Sequence, residues 1–349
     1  MAHRTVLSTL RMLAFGGLSL AASLAFGQAP RQFSFAYDQP PTTAYGIAGT
    51  IFDAKLKELS GGKMSINQFP GGQLGQEPQM LQKLRAGDID FVVTSTANAS
   101  TLVPQAGVLS LHFIFRDQAH LAKALADPAI SAAFRAMVKE QVQGAQVLGL
   151  LTMGLRNMYS KQEVRSVDDI KGKKIRVQAT KTEDTHFPAY GAQTVHMPFG
   201  DVYTSLQTGV VNVAENGINV YLANKHYEVA PVLSITEHEA NNNCLWVSDK
   251  TWNSLTPEQQ RWVQAAADEV ARTEPALALK LEKDSETKLK SIGVKVVDNV
   301  DKSGFMKAAT PVQDQRAATA PQSDPTAPPR NTNVMNMVFR RLRKSGCSG

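Results

Sequence analysis

The sequence predicts a two-lobed α/β clamshell with a long helix near the C-terminus spanning the lobes. Strand-like and helix-like segments alternate through the first hundred residues of the folded region, and a second α/β alternation begins after about residue 150. Further strand-like runs and one long amphipathic run follow, so the chain crosses between the two regions more than once. The expected organisation is a leader at 1–27, a first lobe mainly in 28–150 and a second mainly in 151–240. Segments shared by both lobes should fill 241–314, with a disordered tail at 315–349.

The two ends set themselves apart by composition. Arg4 and Arg11 precede an apolar run over 12–26, and Ala25 and Gly27 place small residues where a signal peptidase needs them. A cleaved export signal is therefore expected, with cut near Gly27 and a periplasmic mature chain. No later window is long and apolar enough for a membrane span. The net charge of +6 arises in this leader and in the Arg-rich tail; residues 28–316 carry no net charge. A nucleic-acid or anionic-lipid surface is thus not expected on the folded body. From about Gln315 the composition turns to Ala, Thr, Pro, Gln and Ser, which fits disorder. Of the two cysteines, Cys244 lies in an apolar run and reads as a buried small side chain, while Cys347 is near the end.

In the first lobe, Phe33, Phe35 and Tyr37 alternate along a strand that Asp38-Gln-Pro-Pro41 breaks. Thr43 can cap a helix whose apolar stripe is Ile47, Ile51, Phe52, Leu56 and Leu59, ended by Gly61-Gly62. Met64, Ile66 and Phe69 mark a second strand, Met80, Leu81 and Leu84 a second helix, and 89–93 a third strand. This βαβαβ pattern predicts a mostly parallel sheet, whose loops at the strand C-terminal ends gather at the edge where ligands bind. Those loops carry Tyr37-Asp38, Gly71-Gly72-Gln73 and Thr94-Ser95-Thr96. A helical region from Asp117 to Gln143 completes the lobe.

In the second lobe, two short strands over 147–151 and 155–160 are broken at Met153-Gly154, and a strand at Ile175-Arg176-Val177 follows. A helix near 182–190, a strand at 193–196 and the stretch 198–216 form the next repeat. That stretch reads as a loop, a short helix on Val202 and Leu206, a stop at Gly209, and a strand ending in Glu215-Asn216. Segments 229–236 and 244–247 are strand-like. Thr256-Pro-Glu-Gln259 is a helix start with a Thr cap, Pro at the first position and Gln at the third. Pro275 should kink or interrupt that helix. Gly293 ends it before a last strand at 294–297.

Motifs for hydrolysis, phosphate cradling and zinc binding by cysteine pairs are absent, and none of the seven histidines lies near enough in sequence to another to suggest a chelate. No metal or cofactor is expected. His238 stands between Glu237 and Glu239; on a strand the two glutamates would share the face opposite it, which predicts a surface or rim position. Arg156 and Arg176 sit where short strands meet loops, and a guanidinium offers two parallel donors to a carboxylate.

The combination of 198-PFGDVY, 205-SLQTGVVN and 214-AEN with 72-GQLG, 111-LHFIFRD, 170-IKGKKIRV and 227-YEV resembles the substrate-binding proteins of TRAP transporters, the DctP-like family, over about residues 33–297. The resemblance implies a periplasmic binding-protein fold, no catalysis, capture of a small organic carboxylate, and delivery to TRAP membrane subunits by a monomer. It places the carboxylate on Arg176, a second positive contact on Arg156, and a hydrogen bond on Asn216. Asn241 falls where the family puts a polar pocket residue, with Asn243 on its side of the strand and Asn242 on the other. Tyr37, Ser95 and Phe199 complete the expected site, and Phe35 and Trp246 could also wall it. The sequence departs from the family pattern at His112, Gly200, Asn212, Val213, Ala214 and Gly217. The changes in 212–217 lie beside Asn216, which makes them the expected seat of specificity. A secreted enzyme acting on a carboxylate, or a binding subunit of a sensor or another transporter, are the alternatives.

Overall fold

The computed structural model describes residues 30–319. The first lobe opens with β1 (Arg31–Ala36), α1 (Ala44–Ser60), β2 (Met64–Phe69), α2 (Glu77–Ala86), β3 (Phe91–Ser95) and a single turn α3 (Thr96–Ala99). After a 3₁₀ segment come α4 (Gln118–Leu125), α5 (Pro128–Gln141) and the long strand β4 (Ala145–Ser160). The second lobe holds β5 (Lys174–Val177), α6 (Glu183–Ala189), β6 (Gln193–His196), α7 (Val202–Thr208), β7 (Val213–Asn216) and α8 (Ile218–Ala223). The chain then returns through β8 (Val232–Ser248) to α9 (Asp249–Asn253), α10 (Pro257–Ser291), β9 (Lys295–Val297) and α11 (Ser303–Thr319).

One mixed sheet of nine strands runs through both lobes, in the order β2-β1-β3-β8-β4-β7-β5-β6, with β9 paired to β8. The expected parallel pairings hold inside each lobe, β1 with β2 and β3, and β5 with β6 and β7. The antiparallel partners are the crossing strands: β3 pairs β8, and β4 pairs both β8 and β7. Strands β4 and β8 are each single long elements rather than two short ones. The break expected at Met153-Gly154 survives as a register shift between Thr152 and Leu155, with Gly154 at φ +80°. A side chain there would meet Glu282 Cγ at 2.8 Å, so the bulge needs glycine for both reasons.

Apolar cores cover both faces of the sheet in each lobe. In the first, Phe33, Phe35, Phe52, Phe91 and Val263 pack on one face, and Leu81, Leu109, Phe134 and Trp246 on the other. In the second, Ile175, Val177, Phe187 and Phe305 lie on one side and Tyr159, Leu206, Tyr221 and Leu289 on the opposite one. Burying one such side chain is worth about 1.5–3 kcal/mol, so these faces fix the strand register.

Helix α10 packs against α1, β4 and α8 and thereby spans the lobes. Its start is the expected capping box, Thr256 Oγ1 accepting from Gln259 N at 3.2 Å. It continues through Pro275 without the interruption the proline could have imposed, packed against α1 and β4. Thr43 does precede α1, but its hydroxyl donates to Pro40 O instead of capping. Helix α11 reaches Thr319, past the tail boundary expected at 315, because Phe305, Ala309 and Val312 are buried against the body. The leader, the remainder of the tail and Cys347 lie outside the described residues. Among the described residues no helix is long and apolar enough to cross a membrane.

Candidate functional site

A cavity of about 440 Å³ opens between the lobes. Its wall is built from the residues that follow the C-terminal ends of β1, β3, β5, β6 and β7, closed by the middles of β4 and β8. Asp38, Ser95, Gln178, Phe199 and Asn216 represent the first set, Arg156 and Asn241 the second. This is the size and the placement of a small-molecule site in an α/β protein.

Strand alternation delivers Arg176. Ile175 and Val177 point into the second-lobe core, which turns Arg176 to the opposite face and into the cavity. The residue is only 3 % exposed, and among the described residues its guanidinium donates only to Met197 O, from Nε at 3.2 Å and Nη2 at 2.9 Å. No carboxylate among the described residues lies within ion-pair distance of it. Burial consequently pulls its pKa below the usual arginine range, against the attraction of Glu215. The Phe199 ring stands 5.9 Å from the guanidinium carbon, close enough for a weak cation–π contact.

Arg156 is held quite differently. The register sets it opposite Glu239 on β8 and next to the Glu215-Asn216 end of β7. It grips the Glu215 carboxylate with two donors, Nε and, at 2.7 Å, Nη2, while Nη1 reaches Asn216 Oδ1 at 3.4 Å. Burial works against both charges, yet the pair outweighs it: Arg156 is raised above its ordinary value and Glu215 is lowered to about 2. Asn216 Oδ1 also accepts from Asn241 Nδ2 and Gly217 N, both at 2.9 Å. Its oxygen is fully engaged, which leaves the amide nitrogen as the donor facing the cavity.

The first-lobe wall is rich in acceptors and amides. Glu77, buried in the first turn of α2, accepts from Tyr45 Oη at 3.1 Å, Ser95 N at 3.0 Å and Asn98 Nδ2 at 2.7 Å. Asp38 accepts from Gln39; burial, followed by the proximity of Glu77, pushes its carboxyl up to about 8. Three hydrogen bonds cross the mouth between lobes: Gln178 Nε2 to Ser95 Oγ at 2.9 Å, Gly200 N to Gln76 Oε1 at 3.0 Å, and Asn224 Nδ2 to Gln39 Oε1 at 3.2 Å. Gly200 lies against that Gln76 side chain, so the departure there serves close approach.

Six of the seven residues expected from sequence therefore meet at one cavity: Arg156, Arg176, Asn216, Asn241, Ser95 and Phe199. Tyr37 does not. It is fully buried against Phe35 and Tyr45, and its hydroxyl donates to Gln68 Oε1 at 2.6 Å. Tyr45, the second residue of α1, takes the wall position instead. Phe35 and Trp246 are likewise core. The departures at 212–214 do not line the cavity: Asn212 is exposed and pairs with the backbone of Lys174, and Val213 and Ala214 are core. His238 is fully buried, contrary to the rim position expected, because three extra β8 residues bulge between the pairs Met158–Ser234 and Arg156–Glu239. Glu77, Asn98 and Gln178 were missed; a Glu in the first turn of a helix after a Gly-rich loop was the available signal for the first of them.

A deep interlobe cavity with a buried, unneutralised arginine defines an anion-binding clamshell protein. The profile of bacterial extracellular solute-binding protein family 7, DctP, matches residues 35–319, and the chain belongs to that family of periplasmic solute-binding proteins. It is 29% identical over 305 residues to the 2,3-diketo-L-gulonate-binding periplasmic protein of Escherichia coli, covering 87% of this chain and 92% of that one. Among solved structures, a TRAP periplasmic solute-binding protein from Xanthobacter autotrophicus with bound β-D-galacturonate is 30% identical with a TM-score of 0.79, covering 88% of this chain and 99% of the other. One from Pseudomonas putida with bound D-glucuronate is 29% identical with a TM-score of 0.80, covering 88% and 96%.

Proposed function

We propose that the protein is a non-catalytic receptor for a sugar acid of the uronate type, which it captures by lobe closure and hands to a TRAP-type membrane transporter. The observation that carries this reading is Arg176, a buried cation whose only hydrogen-bond acceptor among the described residues is a carbonyl oxygen. A carboxylate on the donors that Met197 O leaves free, Nη1 and the second hydrogen of Nη2, would supply the missing countercharge in a water-poor site, where the pairing is strong. Asn216 would add a donor to the same end of the ligand. At the far end, Asp38, Gln39, Glu77, Asn98 and Gln178 offer acceptors and amides suited to hydroxyl groups, which a short dicarboxylate lacks. Relatives that carry uronates support the same choice. The mature chain is exported with cleavage near Gly27 and acts as a monomer.

The test is isothermal titration of the purified protein with D-glucuronate, D-galacturonate, succinate and neutral glucose, with the ligand recovered and analysed afterwards. Saturable uronate binding, no response to glucose and unchanged recovered ligand are expected. Equal binding of glucose, or chemical conversion of the uronate, would overturn the reading.

A further inference from the structure

Behind Arg156, on the side away from the cavity, lies a second polar cluster that the site does not use. His112, from the loop after the 3₁₀ segment, meets Glu183 at the start of α6 and His238 and Glu239 on β8. All four are 3 % exposed or less. His112 Nε2 lies 3.6 Å from Glu183 Oε2 and 3.9 Å from Glu239 Oε2. The donor atoms of His112, His238 and Glu239 all fall within 4.8 Å of one another.

What distinguishes this cluster is which atoms are satisfied. His112 Nδ1 is fixed by Tyr190 Oη at 3.0 Å and His238 Nδ1 by Thr236 Oγ1 at 2.8 Å. Yet His112 Nε2, His238 Nε2, Glu239 Oε2 and both Glu183 oxygens have no hydrogen-bond partner. Buried polar atoms left bare in this way are rare and costly. Imidazoles oriented through one nitrogen, with the other turned inward and unused, are the arrangement of metal-ligating histidines.

The charges point the same way. Three buried carboxylates, Glu183, Glu215 and Glu239, gather near the single guanidinium of Arg156, with Glu215 and Glu239 within 4 Å of it and Glu183 within 4 Å of His112. One divalent cation would bring these four side chains to neutrality. The backbone is also strained at this place: two of the three described non-glycine residues with positive φ, Phe113 and Glu237, directly adjoin His112 and His238. Phe113 N donates to His238 O at 2.7 Å, tying the two histidine segments together. Such strain persists only where a site over-determines it.

We propose that His112 Nε2, His238 Nε2, Glu239 and Glu183 bind one divalent first-row transition-metal ion of the zinc type, in a closed structural site. Donors around a four-coordinate ion with bonds of about 2.0–2.1 Å stand roughly 3.3 Å apart; His112 Nε2 is 3.6 Å from Glu183 and 3.9 Å from Glu239, and the trio with His238 lies within 4.8 Å, so the side chains would draw together on binding. Imidazole and carboxylate donors suit zinc and its neighbours rather than calcium or magnesium. The ion would join the 111–117 loop, α6 and β8 beneath Arg156, and would hold Glu239 in place there. The inference is independent of which organic acid the cavity takes.

The full chain is expressed with its export signal in zinc-supplemented medium, purified without chelator and analysed for metal by mass spectrometry. About one ion per chain is expected, and the His112→Gln, Glu183→Gln double variant should lose it at least tenfold. Wild-type protein stripped and reloaded with Co²⁺ provides a second readout that needs no variant, the visible absorption of a nitrogen- and oxygen-ligated ion of low coordination number. Metal content well below stoichiometric in the wild type, retention of the ion by the double variant, or a Co²⁺ spectrum no different from the aqueous ion would overturn the proposal.

Discussion

Replacing Arg176 by methionine keeps much of the apolar stem and removes the guanidinium. In the protein without ligand this group makes two hydrogen bonds, both to Met197 O, and burial depresses its pKa because no carboxylate sits beside it. Its charge is therefore a cost to the empty fold. Removing it should leave stability unchanged within about 1 kcal/mol, since the lost hydrogen bonds are offset by the relief of burying an unpaired charge. Binding should respond very differently. Two parallel charge-assisted hydrogen bonds to a carboxylate, each worth about 1.5–3 kcal/mol, give a loss of roughly 3–5 kcal/mol. At about 1.4 kcal/mol per decade that is some two to four powers of ten in Kd. Calorimetric titration of wild type and Arg176→Met with D-glucuronate, beside urea denaturation of both, reads the two quantities separately. Arg176→Lys, which keeps charge without the fork, should fall between them. A variant that binds within threefold of wild type, or one that simply fails to fold, would refute the reasoning.

Three further perturbations follow from the same geometry. Glu215→Gln strips Arg156 of its main countercharge in a fully buried setting, and urea denaturation should show a loss of about 3–5 kcal/mol. Glu282 on α10 accepts from Ile218 N at 2.6 Å and Asn219 N at 2.8 Å at the start of α8; Glu282→Ala should lower stability by about 2–4 kcal/mol, measured by the same method, because both buried donors lose their partner. Asp38 binds a proton up to about pH 8 in the fold but only to about 3.8 in the unfolded chain, so the native state holds the extra proton between those values. Its contribution to stability is present below about pH 4 and declines as pH rises to 8, and Asp38→Asn, whose amide oxygen can still accept from Gln39, should flatten the wild-type decline across that window. Denaturation midpoints at pH 4.5, 6 and 8 check the sign.

The lobes were legible because their chemistry is local. Period-two Phe33, Phe35 and Tyr37, the glycine stops at Gly61 and Gly209, and the Thr256 capping box all act within a few residues, and each stands where periodicity and capping place it. Arg176 was legible differently: alone it is one polar residue on a short strand, and its role was read from the resemblance of 170-IKGKKIRV to the family motif. The crossing strands were not. Residues 236–243 of β8, polar except for Ala240, break the apolar alternation, yet they lie in strand: β4 pairs Glu239, Ala240, Asn242 and Asn243, and β3 pairs Asn243. The same polarity made His238 read as a rim residue, whereas a bulge buries it against His112, more than a hundred residues earlier in the chain. Tyr37 and Tyr45 show the limit of loop arguments: both lie near the end of β1, and only packing decides which ring faces the cavity. Pairings of this kind depend on distant segments and leave no periodic trace.

The central claim is that a sugar-acid carboxylate completes the buried Arg176. A crystal structure of the wild-type protein with D-glucuronate tests it most directly. The account predicts the carboxylate seated on Nη1 and Nη2 of Arg176, with Met197 O keeping Nε, and beside the Asn216 amide, with the hydroxyl groups toward Asp38 and Glu77. A ligand bound with its carboxylate remote from Arg176, or bound outside the cavity, would contradict it.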